Sequence, residues 1–126
     1  MTIGDVARQA GLAASAIRFY EKTGLLPKAT RSSGQRRYDE SILPRLALLE
    51  WAKGCGFTLD EIRELFGKAG EAPLSQRMQK LCGQKIEELE ALAQRINVMR
   101  DLLQRAQKCR CIDVEECGGR ILKRRR

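Results

Sequence analysis

Apolar residues recur every three or four positions from Pro73 to about Lys108. One stripe reads Cys82, Ile86, Leu89, Ala93, Ile96 and Leu103; its neighbour reads Met78, Leu81, Leu92, Met99, Leu102 and Ala106. These steps are those of a heptad seam. No proline interrupts the stretch and Gly83 is its only glycine, while the rest are mostly good helix formers. As one helix it would be about 50 Å long at ~1.5 Å per residue. A rod of that length cannot bury its stripe on a small domain. A second copy of the chain, related by a twofold axis, is the economical cover.

The first seventy residues show shorter periods. Thr2 followed by Asp5 reads as an N-cap with a carboxylate in the first turn. Ile3, Val6, Ala7 and Ala10 then give an apolar face, and Gly11 closes the helix. A second helix runs from Ala13 or Ala14 to about Lys22, with Ile17 and Tyr20 facing inward. Two short helices across a glycine turn predict a helix-turn-helix. The outward face of the second carries Ser15, Arg18, Phe19 and Lys22, types suited to phosphate and base-edge contact in a major groove. After Gly24-Leu25-Leu26-Pro27, the stretch Thr30–Tyr38 predicts a hairpin turning at Ser33-Gly34. Its arginines form a wing able to lie along a phosphate backbone. A third helix is expected from about Asp39 to Lys53, with Ile42, Leu43, Leu46, Leu48, Leu49 and Trp51 as its apolar residues. Thr58 and Glu61 form a capping box for a fourth, which holds Ile62, Leu65 and Phe66 and ends by Gly67 or Gly70.

Composition narrows the function. The 126 residues carry 24 Lys+Arg against 16 Asp+Glu, a net charge of +8. The excess lies in the first forty residues and after Lys108, which points to a polyanionic partner. No apolar run is long enough to span a membrane and no secretory leader is visible, so a cytoplasmic protein is expected. There is no histidine, hence no imidazole base or ligand, and no constellation of nucleophile or paired carboxylates marks an enzyme.

Five cysteines in such a chain are thiols available for metal or redox chemistry. Cys55, between two glycines before a core helix, reads as structural. Cys109, Cys111 and Cys117 form a C-x-C-x5-C cluster followed by Gly118-Gly119, read as a turn. A loop this short can gather three sulfurs around one ion. Thiolates without imidazole favour thiophilic ions: Cu(I), Zn(II), Hg(II) or Cd(II). Beyond it, Ile121 and Leu122 form a small apolar patch, and the basic run to Arg126 reads as a solvated tail.

The runs Thr2-Ile3-Gly4-Asp5-Val6-Ala7, Ala16-Ile17-Arg18-Phe19-Tyr20-Glu21, Gly24-Leu25-Leu26, Gln35-Arg36-Arg37-Tyr38 and Gly56-Phe57-Thr58-Leu59-Asp60-Glu61-Ile62 resemble the MerR family of bacterial transcription regulators. The resemblance implies a mainly α chain: a winged helix-turn-helix DNA-binding domain over 1–70, a long antiparallel coiled-coil dimerisation helix over 71–108, and a cysteine effector loop with a basic tail over 109–126. It implies a homodimer that distorts a promoter with an overlong spacer so that RNA polymerase engages. It places DNA contacts at Ser15, Arg18, Tyr20 and Lys22, and in the wing at Arg31, Arg36, Arg37 and Tyr38.

Two branches of the family are echoed in the cysteines. Cys109 to Cys117 has the spacing of the copper-responsive branch. Cys109, Cys111 and Cys117 also match three of four ligands of the [2Fe–2S]-containing SoxR branch, whose first ligand falls at Ala106 here; such clusters normally take four cysteines. Cys82 lies roughly 40 Å along its own helix from Cys109, so it could reach a cysteine loop only from the partner chain. In an antiparallel pair Ser75 comes nearest the partner's loop, at the position of the mercury branch's helix cysteine, and Cys82 reads as a core thiol. Three readings follow: a metal-sensing regulator, a redox-sensing regulator using thiol oxidation or an iron–sulfur cluster, and a metal-buffering protein.

Overall fold

Capping boxes start two of the helices. In the computed structural model, which describes residues 1–68 and 70–125, the Thr2 hydroxyl accepts from Asp5 N–H at 3.2 Å and the Asp5 carboxylate accepts from Thr2 N–H at 3.0 Å. Helix α1 (Ile3–Ala10) follows and stops at Gly11, whose φ of 69° suits a residue without Cβ. Helix α2 (Ala14–Lys22) has no side-chain cap; Ile17 and Tyr20, both buried, place it on the common core. Strands β1 (Thr30–Ser32) and β2 (Gln35–Arg37) pair antiparallel with Arg31 opposite Arg36. Ser33 and Gly34 both have positive φ, the signature of a tight type I′ hairpin.

Helix α3 (Ile42–Gly54) begins three residues later than expected, because Asp39 accepts from Ser41 N–H at 2.9 Å and forms a turn instead. Its buried face is Ile42, Leu46, Leu49 and Ala52. Trp51 is 48% exposed; it lies about two and a half turns from Ile42 and so points the opposite way. The Thr58–Glu61 box starts α4 (Leu59–Phe66), which ends at Gly67. The alternative end at Gly70 falls beside Ala69, outside the described residues. Cys55 packs on the core as a small hydrophobe.

Two compact units emerge, Met1–Lys85 and Ile86–Arg126. Helix α5 (Leu74–Ala106) starts in the first. There Leu81 is buried and Met78 and Cys82 pack on the core cluster. These three of the expected seam residues therefore belong to the first unit's interior. Arg77 caps α4, donating to Leu65 O at 2.9 Å and Phe66 O at 3.1 Å. Lys85 is buried and donates to Glu61 at 2.8 Å while lying 5.5 Å from the Phe57 ring centroid.

The second unit holds the rest of α5 and a helix α6 (Val114–Arg124). This corrects the reading of the segment as a loop, glycine turn and tail. Asp113 caps α6 by accepting from Glu116 N–H at 2.9 Å, and Glu116 reaches back to Ile112 N–H at 3.1 Å. These bonds, with the Glu116–Arg120 pair at 3.1 Å, offset part of the cost of two helical glycines, about 1 kcal/mol each. Arg126, last of the basic run, lies outside the described residues. No helix among the described residues is long and apolar enough to cross a membrane.

Candidate metal centre and nucleic-acid interface

The end of α5 and the start of α6 bring three thiols together. Cys109 N–H closes the last turn on Ala106 O at 3.0 Å, and Cys117 sits in the first turn of α6, bonded to Asp113 O at 3.3 Å. The Sγ atoms of Cys109, Cys111 and Cys117 all lie within 4.8 Å of one another. Thiols this close can bind one ion together. Cys111 N–H donates to Cys109 Sγ at 3.4 Å. That bond holds the Cys109 thiol below its ordinary value. Sharing a hydrogen bond with Cys109 pushes Cys111 up to about 11. Arg120 favours the thiolate form of both; its sequence signal was its place four residues after Glu116. Arg105, Lys108 and Arg120 line the surrounding groove with Leu102 and Ile121. The site thus matches soft thiolate chemistry with cations around it.

Cys82 is not in this cluster. It packs on the first unit's core, and Ser75 is exposed in the first turn of α5.

The other sequence-derived site falls on α2 and the hairpin. Ser15, Arg18 and Lys22 are exposed on α2, as are Arg31, Arg36 and Arg37 on the strands. Tyr20 and Tyr38 differ from these. Both are buried. The Tyr20 hydroxyl donates to Glu50 at 2.9 Å and accepts from Lys53 at 2.6 Å. The Tyr38 hydroxyl donates to Glu21 at 2.8 Å. Each phenol has one proton, and in both it is already placed inside the protein. Neither can donate to a phosphate without giving up that bond. Burial, then the neighbouring carboxylate, raises the Tyr38 hydroxyl above its usual value. Sequence reasoning missed Glu21, because its partners Ala29 and Tyr38 are brought to it only by the tertiary fold.

Residues 1–68 match the model of the MerR HTH family regulatory proteins. The chain belongs to the MerR family. Residues 43–106 of this MerR-family chain also match the "MerR, DNA binding" model. It is a DNA-binding transcriptional regulator, not an enzyme. It is 38% identical over 120 residues to the HTH-type transcriptional regulator CueR of Salmonella typhi, covering 93% of this chain and 87% of the relative. Among solved structures it resembles the transcription regulator PbrR691 of Ralstonia metallidurans CH34 in complex with lead(II), with 31% identity, a TM-score of 0.75 and 94% of each chain covered. It also resembles HiNmlR, a MerR family regulator bound to promoter DNA, with 27% identity, a TM-score of 0.58, and 85% and 83% of the two chains covered.

Proposed function

We propose that this MerR-family regulator is a cytoplasmic homodimer that senses a thiophilic metal ion through Cys109, Cys111 and Cys117 and activates transcription by distorting promoter DNA for RNA polymerase. The convergence of three sulfurs within 4.8 Å carries the reading. The relatives support it: one is a CueR, and another was solved with lead(II). Ser15, Arg18 and Lys22 read the duplex, and Arg31, Arg36 and Arg37 hold its backbone. The apolar face of α5 from Ile86 onward forms the antiparallel coiled-coil dimer. Ion binding draws the Cys109 and Cys111 loop and the first turn of α6 into one arrangement, and α5 carries that change toward the DNA-binding domains. The domain limits at 70 and 108 are part of this proposal, although the first compact unit runs on to Lys85.

Three clustered thiols fall short of the four that an iron–sulfur centre normally takes, which favours the metal reading. Anaerobic purification followed by absorption spectroscopy and metal analysis tests it. The expected protein is colourless and takes up one soft ion per cluster; brown protein with iron and sulfide overturns it. With duplex selected from a random library, Arg18→Ala should abolish specific binding while the dimer persists. Undiminished binding removes α2 from the interface.

A further inference from the structure

One carboxylate holds both roots of the wing. Glu21, in the last turn of α2, is 8% exposed. Its Oε1 accepts from Ala29 N–H at 2.6 Å, the residue just before β1. Its Oε2 accepts from the Tyr38 hydroxyl at 2.8 Å, the residue just after β2. Arg36 lies 3.9 Å from the same oxygen. On the other side, Tyr38 N–H donates to Met1 O at 2.7 Å, and the Met1 amine donates to Tyr38 O at 3.0 Å.

At its roots Ala29 and Tyr38 also pack on the core, but between them the hairpin has little else to orient it. All six strand residues are exposed, so no apolar side chain between the roots anchors it. A lone two-stranded hairpin is marginal in water. Arg31 faces Arg36 directly across the ladder, a like-charge pair that disfavours the strands. We propose that Glu21 is a positioning residue for DNA recognition: it fixes the wing arginines relative to the recognition helix that carries it. This rests on reading α2 and the hairpin as the DNA interface. The carboxylate accepts from both partners at once and faces Arg36 with a full charge. A glutamine could keep the Ala29 bond only by turning its amide N–H toward the Tyr38 oxygen, which reverses that bond, takes the acceptor from the Tyr38 proton and removes the charge.

The test compares Glu21→Gln, Tyr38→Phe and wild type in two assays. In the first, free protein is digested briefly with trypsin and cleavage after Arg31, Arg36 and Arg37 is followed by mass spectrometry alongside the helical melt. Glu21→Gln should speed wing cleavage several-fold over cleavage elsewhere. Tyr38→Phe, which keeps the ring in the core, should do so to a smaller degree with the melt unchanged. In the second, binding to a fluorescent duplex of mixed sequence is measured against salt. The log-affinity slope for Glu21→Gln should flatten by about 0.9 for each phosphate contact released, toward the slope of a variant with all three wing arginines changed to alanine.

Wild-type cleavage, or cleavage raised uniformly along the chain in both variants, overturns the proposal. So does a freed wing with an unchanged salt slope. The digestion contains no DNA, so it reports on Glu21 even if Arg18→Ala shows that α2 is not the reading helix.

Discussion

The two compact units treat their apolar side chains in opposite ways. Every buried apolar side chain among the described residues, from Val6 to Leu81, belongs to Met1–Lys85. In the second unit Ile86, Leu89, Leu92, Ile96, Met99, Leu102 and Leu103 are all 45% exposed or more, and Ile112 and Val114 are almost bare. Its helices rest on local devices, such as the Asp113 cap and the Asp101–Arg105 pair at 3.0 Å, each worth at most about 1 kcal/mol. The first unit has an interior of its own. The second has an apolar face left exposed, which the proposed dimer would cover with a second copy of α5.

The comparison breaks most readily at matched apolar positions. Leu49→Ala in the first unit should cost about 2–5 kcal/mol of unfolding free energy at any protein concentration, since Leu49 is fully buried. Ile96→Lys should leave the first unit's melting unchanged but convert the dimer to monomer, read by sedimentation equilibrium. Urea unfolding at two protein concentrations distinguishes them. If Ile96→Lys stays dimeric, the seam is not the cover.

Much of this division was legible in the residues. Thr2, Asp5 and Gly11, and Thr58 and Glu61, are local signals whose partners lie within one turn, so the ends of α1 and the start of α4 could be read directly. Ser33-Gly34 set the hairpin for the same reason. Helix α6 was missed because two glycines read as a turn, while the Asp113–Glu116 cap that starts the helix was overlooked. The cysteine spacing showed that three sulfurs could meet. Glu21, Arg77 and Lys85 were invisible because their partners lie eight to twenty-four residues away and depend on tertiary packing.

In the second unit the thiols themselves sharpen the contrast. Cys111, pushed up to about 11 by its bond with Cys109, is protonated at neutral pH. A soft ion must displace that proton to be held by all three sulfurs. Affinity for Cd(II) should therefore climb between about pH 6.5 and 8.5, by about tenfold per pH unit for each proton displaced. Cys111→Ser should bind more weakly and show a shallower climb, as measured by competition with a chromophoric chelator. Equal slopes would mean that Cys111 is not a ligand.

The smallest effect belongs to the first unit, where α5 is tied to α4 through Lys85 and Glu61. The hydrogen bond from Lys85, then the N–H of Thr58, hold the Glu61 carboxyl below its ordinary value of 4.5. A carboxyl lowered by folding stabilises the native state above its unfolded value and loses that contribution as pH falls through the folded one. Lys85→Met keeps the aliphatic stem beside Phe57 and the Thr58 capping bonds, and removes only the charge. At pH 7 it should cost about 1–2 kcal/mol, as for a hydrogen bond between charged groups. As pH falls below 4.5 the wild type should lose its advantage, and by about pH 3 the two urea midpoints should approach each other. A gap of constant size from neutral to acid would show that the Lys85 charge acts over the Phe57 ring rather than through Glu61, leaving α5 tied to this unit by Leu81 and the Arg77 cap.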